Sequence, residues 1–445
     1  MSKTSPVFRR DVIGWSLYDF ANTIYSMNIL SLYLKRWIVV DLGRDGLYYD
    51  IAYSASMLLA GLIMPALGAV SDHSRKKKLF LFLFTFMCCL AAGLIPAVPS
   101  TLILLVVIVF AISNFFYEGG MVFYNSLLYS VSEGNMARLV SGFGVALGYL
   151  GSIAGMVLVL PYVDGSVFGI DIPFMAGHGK SGAFLPTAIL FLIFSLPLFL
   201  WVKERPGMAQ NGGGGIRKAY REVWEGVRDT KKYPGVLRFL IADYFFEDAV
   251  ATVILNMGIY SSLVIGFADA DLTVFFIIST VSAMAGSFVI GHLSRKFSLK
   301  SFMSLVVWGW IIVLAVFITT DNRIIIYILG SIIGILLGGL WTLSRPLLAE
   351  MVPRGELGRF FGLYSLSGRS AAVIGPILWG VIVYLFNPGR PAGKILVEMF
   401  DIDSAAAGKL PYRLGVMSLI LIMATGLFIF RKIPERNSTR RQADL

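Results

Sequence analysis

Twelve apolar stretches run along the chain, and the last six echo the first six. Tyr18-Asp19-x-Ala21 returns as Phe246-Glu247-x-Ala249, and Asn28 returns as Asn256. Gly68-Ala-Val-Ser71, closing the second stretch, returns as Gly291-His-Leu-Ser294, closing the eighth. Leu127-Leu128 with Gly142 returns as Leu347-Leu348 with Gly362. The offset drifts from 228 to 223 to 220, as two copies with loops of different length would give.

A spanning helix needs roughly 20 apolar residues. The stretches lie near 12–40, 48–71, 79–97, 100–131, 137–161, 183–202, 236–262, 271–292, 299–319, 323–352, 357–386 and 412–430. Repeated helical units are common in membrane carriers, with the binding site between the repeats. The expected fold is therefore all-α: twelve transmembrane helices in two pseudo-symmetric six-helix bundles. The N-terminal bundle is expected over 1–203, a cytoplasmic linker over 204–235, the C-terminal bundle over 236–431 and a cytoplasmic tail over 432–445.

The chain is 57% hydrophobic and 15% charged, where a soluble protein carries about 25% charged residues. A net charge of +11 would suit nucleic acid, but its distribution argues otherwise. With the amino terminus inside, 27 of the 38 Lys and Arg fall on cytoplasmic segments. That bias sets orientation, and it places both termini in the cytoplasm, most simply at a bacterial inner membrane. No nucleic-acid partner is expected. The first stretch carries Asp19, Asn22 and Asn28 with no small-residue cleavage site after it, so it reads as a helix and not a leader. Cys88 and Cys89 are neighbours, about 100° apart on a helix, and read as small buried residues. His73, His178 and His292 lack metal-ligand spacing, so no metal is expected. No Gly-rich phosphate loop or nucleophile elbow stands out, and the soluble segments are short. The sequence predicts neither an enzyme nor an ATP-driven pump, and no cofactor.

In the linker, Gly212 to Gly215 form a flexible hinge. Ile216, Ala219, Tyr220, Val223, Trp224 and Val227 then fall at helical spacing, with Arg217, Lys218, Arg221 and Arg228 off that stripe. This basic amphipathic helix is expected to lie on the inner leaflet, a regulatory partner being the alternative. The long outer loops, 162–182 and 387–411, are expected to cap an entrance or simply connect.

Between the second and third stretches stands Gly68-Ala-Val-Ser-Asp72-His-Ser-Arg75-Lys-Lys-Lys78. Gly68 is expected to allow a close helix crossing. Glycine, acid and basic cluster at this place resemble the signature of the major facilitator superfamily. The resemblance implies a cytoplasmic latch, with Asp72, Arg75, Arg138 and Arg359 as gating residues. Arg295 takes the acid's place in the second copy, so the latch would be asymmetric. Other motifs are Tyr18-Asp19-Phe20-Ala21-Asn22-Thr23, Phe123-Tyr124-Asn125-Ser126-Leu127, Arg138 to Gly151, Leu343-Ser344-Arg345, Phe360 to Tyr364, Ser367-Gly368-Arg369 and Gly375-Pro376. Together they resemble the vacuole-effluxer-like branch, which includes autophagy-related vacuolar amino-acid exporters. Tyr129 stands where that branch usually has proline, and Arg369 where lysine is common, which keeps charge but alters hydrogen-bond geometry. Gly144, Gly148, Gly151 and Gly155 are expected to pack the fifth helix closely against a neighbour.

Seven charged groups fall well inside the stretches, away from their ends: Asp19, Glu118, Asp243, Glu247, Asp248, Arg345 and Arg369. Each costs about 2.5–3.5 kcal/mol by insertion scales, so each invites a functional reading. Five acids against two guanidiniums leave acids to find water, polar partners or protons, and an acid removed from water holds a proton more readily. Glu118, Glu247, Asp248 and Asp243 are therefore the candidate proton carriers. Glu118 leads them, because it is central and has Asn114 one turn away. Tying helices together is the competing role. Arg345, followed by Pro346, is expected to be structural or to contact substrate. Arg369 suits a carboxylate held bidentately, and Asp19 and Asn22, with Tyr18 and Asn125, suit an ammonium group. The expectation is a proton-coupled carrier of a small polar metabolite, first an amino acid or similar zwitterion, working as a monomer among membrane lipids. Sodium is the alternative coupling ion. A lipophilic-cation exporter and a non-transporting scaffold or receptor are the rival readings.

Overall fold

The structure is a computed structural model describing residues 9–74, 76–132, 135–167, 169–172, 177–204, 216–353 and 357–434. The glycine hinge Gly212 to Gly215 and Arg75 lie outside the described residues, as do the side chains of Asp72, Tyr129, Arg138, Arg295, Arg359 and Arg369.

The first apolar stretch forms α1 (Arg10–Tyr25), then π-helical turns Ser26–Tyr33, one α turn Leu34–Arg36, and π turns Trp37–Asp41. There follow α2 (Leu47–Ser74), α3 (Lys77–Leu94), α4 (Ile103–Val131), α5 (Asn135–Asp164) and α6 (Phe184–Trp201). The linker carries α7 (Ile216–Asp229). Then come α8 (Val236–Tyr260), ending in the π turn Ser261–Ile265, α9 (Asp269–Leu293), α10 (Leu299–Thr319) and α11 (Arg323–Met351). The eleventh stretch is broken into α12 (Leu357–Ala371) and α13 (Ile374–Leu385). The chain continues with α14 (Pro391–Met399) and α15 (Ser404–Arg431). Among the described residues, ten helices are long and apolar enough to cross a membrane. The interrupted first stretch and the broken eleventh are not among them.

The sequence echo is also an echo in packing. α1 lies on α5 and α6, and α8 lies on α12 and α15. α2 pairs with α4 as α9 pairs with α11, and α3 meets α4 and α6 as α10 meets α11 and α15. Between the two series, α2 meets α12 and α13, α5 meets α9, and the π turns after α1 meet α8. Large apolar side chains such as Leu104, Phe288 and Leu421 point outward, while Asn22, Asn28, Asp50, Asp243 and Asp248 are buried. That inversion is what a lipid solvent demands of spanning helices.

The α5 glycines behave as expected. A Cβ at Gly151 would stand 2.2 Å from the Phe20 carbonyl oxygen, one at Gly155 2.9 Å from Ile24, and one at Gly144 2.6 Å from a carboxylate oxygen of Asp19. At Gly68 no described atom lies within 4 Å of the Cβ position. Both long loops hold structure. The first carries a small antiparallel hairpin, Ser166–Val167 with Ile170–Asp171. The second carries α14, and Asp403 caps α15 by accepting from the N–H groups of Ala405 and Ala406. Cys88 and Cys89 are free thiols, both buried. The linker helix α7 leans on α2, where Tyr220 donates to the Leu62 carbonyl at 2.6 Å, and on α12, where Gly226 faces Leu363. Trp224 stays 72% exposed and Ile216 and Val227 are also exposed, so most of the expected apolar stripe is uncovered by protein.

Candidate functional site

The polar residues collect in two sets, one on α1, α2 and α4 of the first half and one on α8 and α11 of the second. On the first wall, Asp19 of α1 accepts from the Asn22 amide at 3.1 Å, and the Asn22 carbonyl accepts from the Tyr117 hydroxyl at 3.4 Å. Tyr117 stacks on Tyr25, centroids 4.7 Å apart, and Tyr25 bonds to Ser113 at 2.9 Å. Glu118 follows Tyr117 on α4, and Tyr53 of α2 lies within electrostatic reach of Glu118, Tyr117 and Asp248. Asn114 donates to Ser56 of α2 at 2.8 Å, which ties it to the α2–α4 contact. Tyr18, expected beside the ligand, is buried in the wall: it bonds to Thr85 at 2.7 Å and stacks on Tyr124 at 4.8 Å. Asn125 is exposed, about two turns along α4 from Tyr117.

On the second wall, two acids of α8 reach two polar residues of α11. Ser344 donates to Asp243 at 2.9 Å, and the Trp341 indole donates to Glu247 at 3.0 Å. Asp243 and Glu247 are one turn apart and so share a face, as do Trp341 and Ser344. The second carboxylate oxygen of Asp243 is buried without a hydrogen-bond partner. Arg345 is exposed and within electrostatic reach of Glu247 and Tyr364.

Asp248 does something different. It accepts from the Gly375 N–H at 2.9 Å, at the start of α13. The break at 372–373 frees N–H groups that a continuous helix would use, and Asp248 caps them from another helix. A Cβ at Gly375 would meet Thr252 at 2.2 Å, so only glycine lets α8 come this close. In the repeat, Asp248 corresponds to Phe20 and Gly375 to Gly155, and α5 is unbroken there. The acid goes with the break.

The halves also meet at the end of the molecule opposite α1's first residue. Lys35 places its ammonium 2.7 Å from both oxygens of Asp50 and donates to the Asn256 carbonyl oxygen on α8. Arg36 pairs with Asp269 at 2.5 Å. Lys35, Arg36, Asp50 and Asn256 are all buried. Above Lys35 and Asp50 lies a cavity of about 190 Å³, also lined by Asp45, Trp379, Tyr384 and Tyr412.

With this geometry in place, the comparisons decide the family. The sequence matches the family described as vacuole effluxer Atg22 like, over residues 48–133 and 129–397. The chain belongs to that family. Similar proteins include an uncharacterized MFS-type transporter, YxiO, of Bacillus subtilis, 25% identical over 98% of this chain and 99% of the relative. Autophagy-related protein 22 of Kluyveromyces lactis is 25% identical over 80% of this chain and 76% of its own. Among solved structures, a bacterial homolog of the human lysosomal transporter Spinster superposes with a TM-score of 0.72 at 14% identity, covering 97% of both chains. The nucleoside transporter NupG superposes with a TM-score of 0.70 at 13% identity, covering 95% of this chain and 99% of that one. As a member of the Atg22-like family, the chain is a multi-pass membrane transporter of the major facilitator type.

Sequence reasoning singled out Asp19, Asn22, Asp243, Glu247 and Asp248 and passed over the charges at the end opposite α1's first residue. The inventory of five acids and two guanidiniums omitted Lys35, Arg36 and Asp50, which the structure buries. The usable signal was two cations inside an apolar run, with an acid 15 residues on across a short connection.

Proposed function

We propose that this Atg22-like protein is a proton-coupled carrier of small zwitterions, amino acids first, working by alternating access between two six-helix bundles. The interrupted first stretch and the broken eleventh complete the twelve spans of that architecture. One observation carries the reading: Asp19 and Glu247 stand at echoing positions of α1 and α8, each an acid inside a spanning stretch and each bonded to a neutral donor, Asn22 and Trp341. An acid so held can exchange its proton with water whenever its side of the cavity opens. Glu118 and Asp243 extend the acidic lining, and Arg369 and Arg345 supply guanidiniums suited to a substrate carboxylate. Asp248 leaves the set of proton carriers, since its carboxylate caps α13. Asp72, Arg75, Arg138 and Arg359 remain the gating residues of the face near the termini, which the charge bias assigns to the cytoplasm.

The test begins with melting temperatures of the purified protein against amino acids, nucleosides, organic acids and lipophilic cations, at about pH 5.5 and 7.5, because a ligand of the folded state raises the melting point. Uptake of each hit into proteoliposomes then follows, with and without a pH gradient. Expected is gradient-driven uptake of a zwitterion, with Glu118→Gln or Glu247→Gln removing the pH dependence while binding survives. Uptake indifferent to the gradient overturns proton coupling, and stabilisation by lipophilic cations alone overturns the zwitterion.

A further inference from the structure

The closed end is held by one connected polar seam. Asp50 of α2 and Lys35 belong to the first half. Lys35 crosses to Asn256 on α8. Asn256 donates its amide to the Thr252 carbonyl at 2.9 Å, and Thr252 donates to the Asp248 carbonyl at 2.7 Å. Asp248 caps the broken helix at Gly375, and Ser54, one turn after Asp50 on α2, donates to the Val373 carbonyl at 3.1 Å within the break. The path leaves α2 at Asp50 and returns to it at Ser54.

We propose that Lys35, Asp50 and Asn256 form the gate on this face, and that the helix break at 372–373 opens with it. The inference rests on the alternating access proposed above. Three features support it. Lys35 keeps Asp50 whether or not Asn256 is present, so the Lys35–Asn256 contact can break without stranding the lysine's charge, at the cost of one charge-assisted hydrogen bond; the Arg36–Asp269 and Arg390–Asp45 pairs cross the same face and part with it. Gly258 and Gly380, both in the second half, leave room only for first-half groups: a Cβ would stand 2.6 Å from the Ser31 carbonyl and 2.7 Å from Asp50, respectively. The repeat supplies an internal control: Asn28, which echoes Asn256, bonds instead to the Gly155 carbonyl at 3.2 Å within its own half. The asparagine is duplicated, and its crossing between halves is not. Asn256 is thus a gating residue, acting on access and not on the substrate.

The test uses the full chain in nanodiscs, with Cys88 and Cys89 replaced by alanine and a reporter made by Ile259→Cys. Ile259 lines the cavity at 1% exposure. The readout is the rate of labelling by a bulky hydrophilic maleimide. Asn256→Ala should raise the rate several-fold. Asn256→Asp, which offers Lys35 a charged acceptor, should lower it below the parent, an effect that mere loosening of the fold would not give. Asn28→Ala should match the parent. A parent that labels measurably, with both Asn256 variants at its rate, overturns the gate and leaves alternating access standing. No labelling in any variant overturns both.

Discussion

At the residue scale, Asp321 gives a charge whose effect can be signed. It lies in the loop between α10 and α11, where Lys409 and Arg413 of α15 reach it at 2.9 and 2.7 Å. Partial burial alone would raise its pKa, but the hydrogen bonds and charges of those two cations outweigh burial and hold the carboxyl below its usual value. A depressed carboxyl pKa contributes stability that is fully present above the unfolded value of about 3.9. That contribution is lost as pH falls through the lower folded value. The Asp321 side chain is 46% exposed, so solvent screening keeps the effect under about 1 kcal/mol. Asp321→Asn should therefore melt slightly below the parent at neutral pH and with it at about pH 2. A gap that persists in acid would mean the loss is one of packing. This pair was not legible in sequence, because Asp321 and Arg413 are 92 residues apart. Asp19 and Glu247 were legible, because the repeat places both at one position.

At the element scale, the glycines of α5 separate packing from helix propensity. Gly151 meets the Phe20 backbone, which cannot step aside, whereas Gly142 has no described atom within 4 Å of its Cβ position. Gly151→Ala should cost about 1–3 kcal/mol by overpacking. Gly142→Ala should be neutral or gain up to about 1 kcal/mol, since alanine favours the helix. Melting temperatures in one detergent compare them, and equal shifts would remove α1–α5 packing as the reason for the glycine run. The spacing of those glycines was readable. The break in the eleventh stretch was not, although Pro376 lies just past it. Proline removes a backbone donor and clashes one turn back, yet Pro65, Pro161, Pro197, Pro346 and Pro411 sit inside helices that continue. What distinguishes the break is that its freed groups find partners on other helices, Asp248 and Ser54, and a linear pattern does not show them.

At the scale of the whole molecule, the repeat fixed which helices pack together, but the two copies are used unequally. The first copy ends its opening helix in π turns on either side of the α turn that holds Lys35 and Arg36, and π turns often mark functional sites. The second copy answers with Asn256, Gly258 and a broken helix. Gly258 is where this fit can be tested without touching a charge. A methyl there would press on the Ser31 carbonyl, across the boundary between the halves and only in the closed arrangement. Because about 1.4 kcal/mol changes a population ratio tenfold, even part of that repulsion should favour opening. Spin labels at Tyr48 and Ile395, both exposed, would straddle the mouth at the start of α2 and on α14. Gly258→Ala should move their distance distribution towards longer separations, while Gly142→Ala, whose Cβ position has no described atom within 4 Å, should leave it unchanged. An unaltered distribution in Gly258→Ala would mean that the closed face yields locally around the methyl, and that the two halves do not part there as rigid bodies.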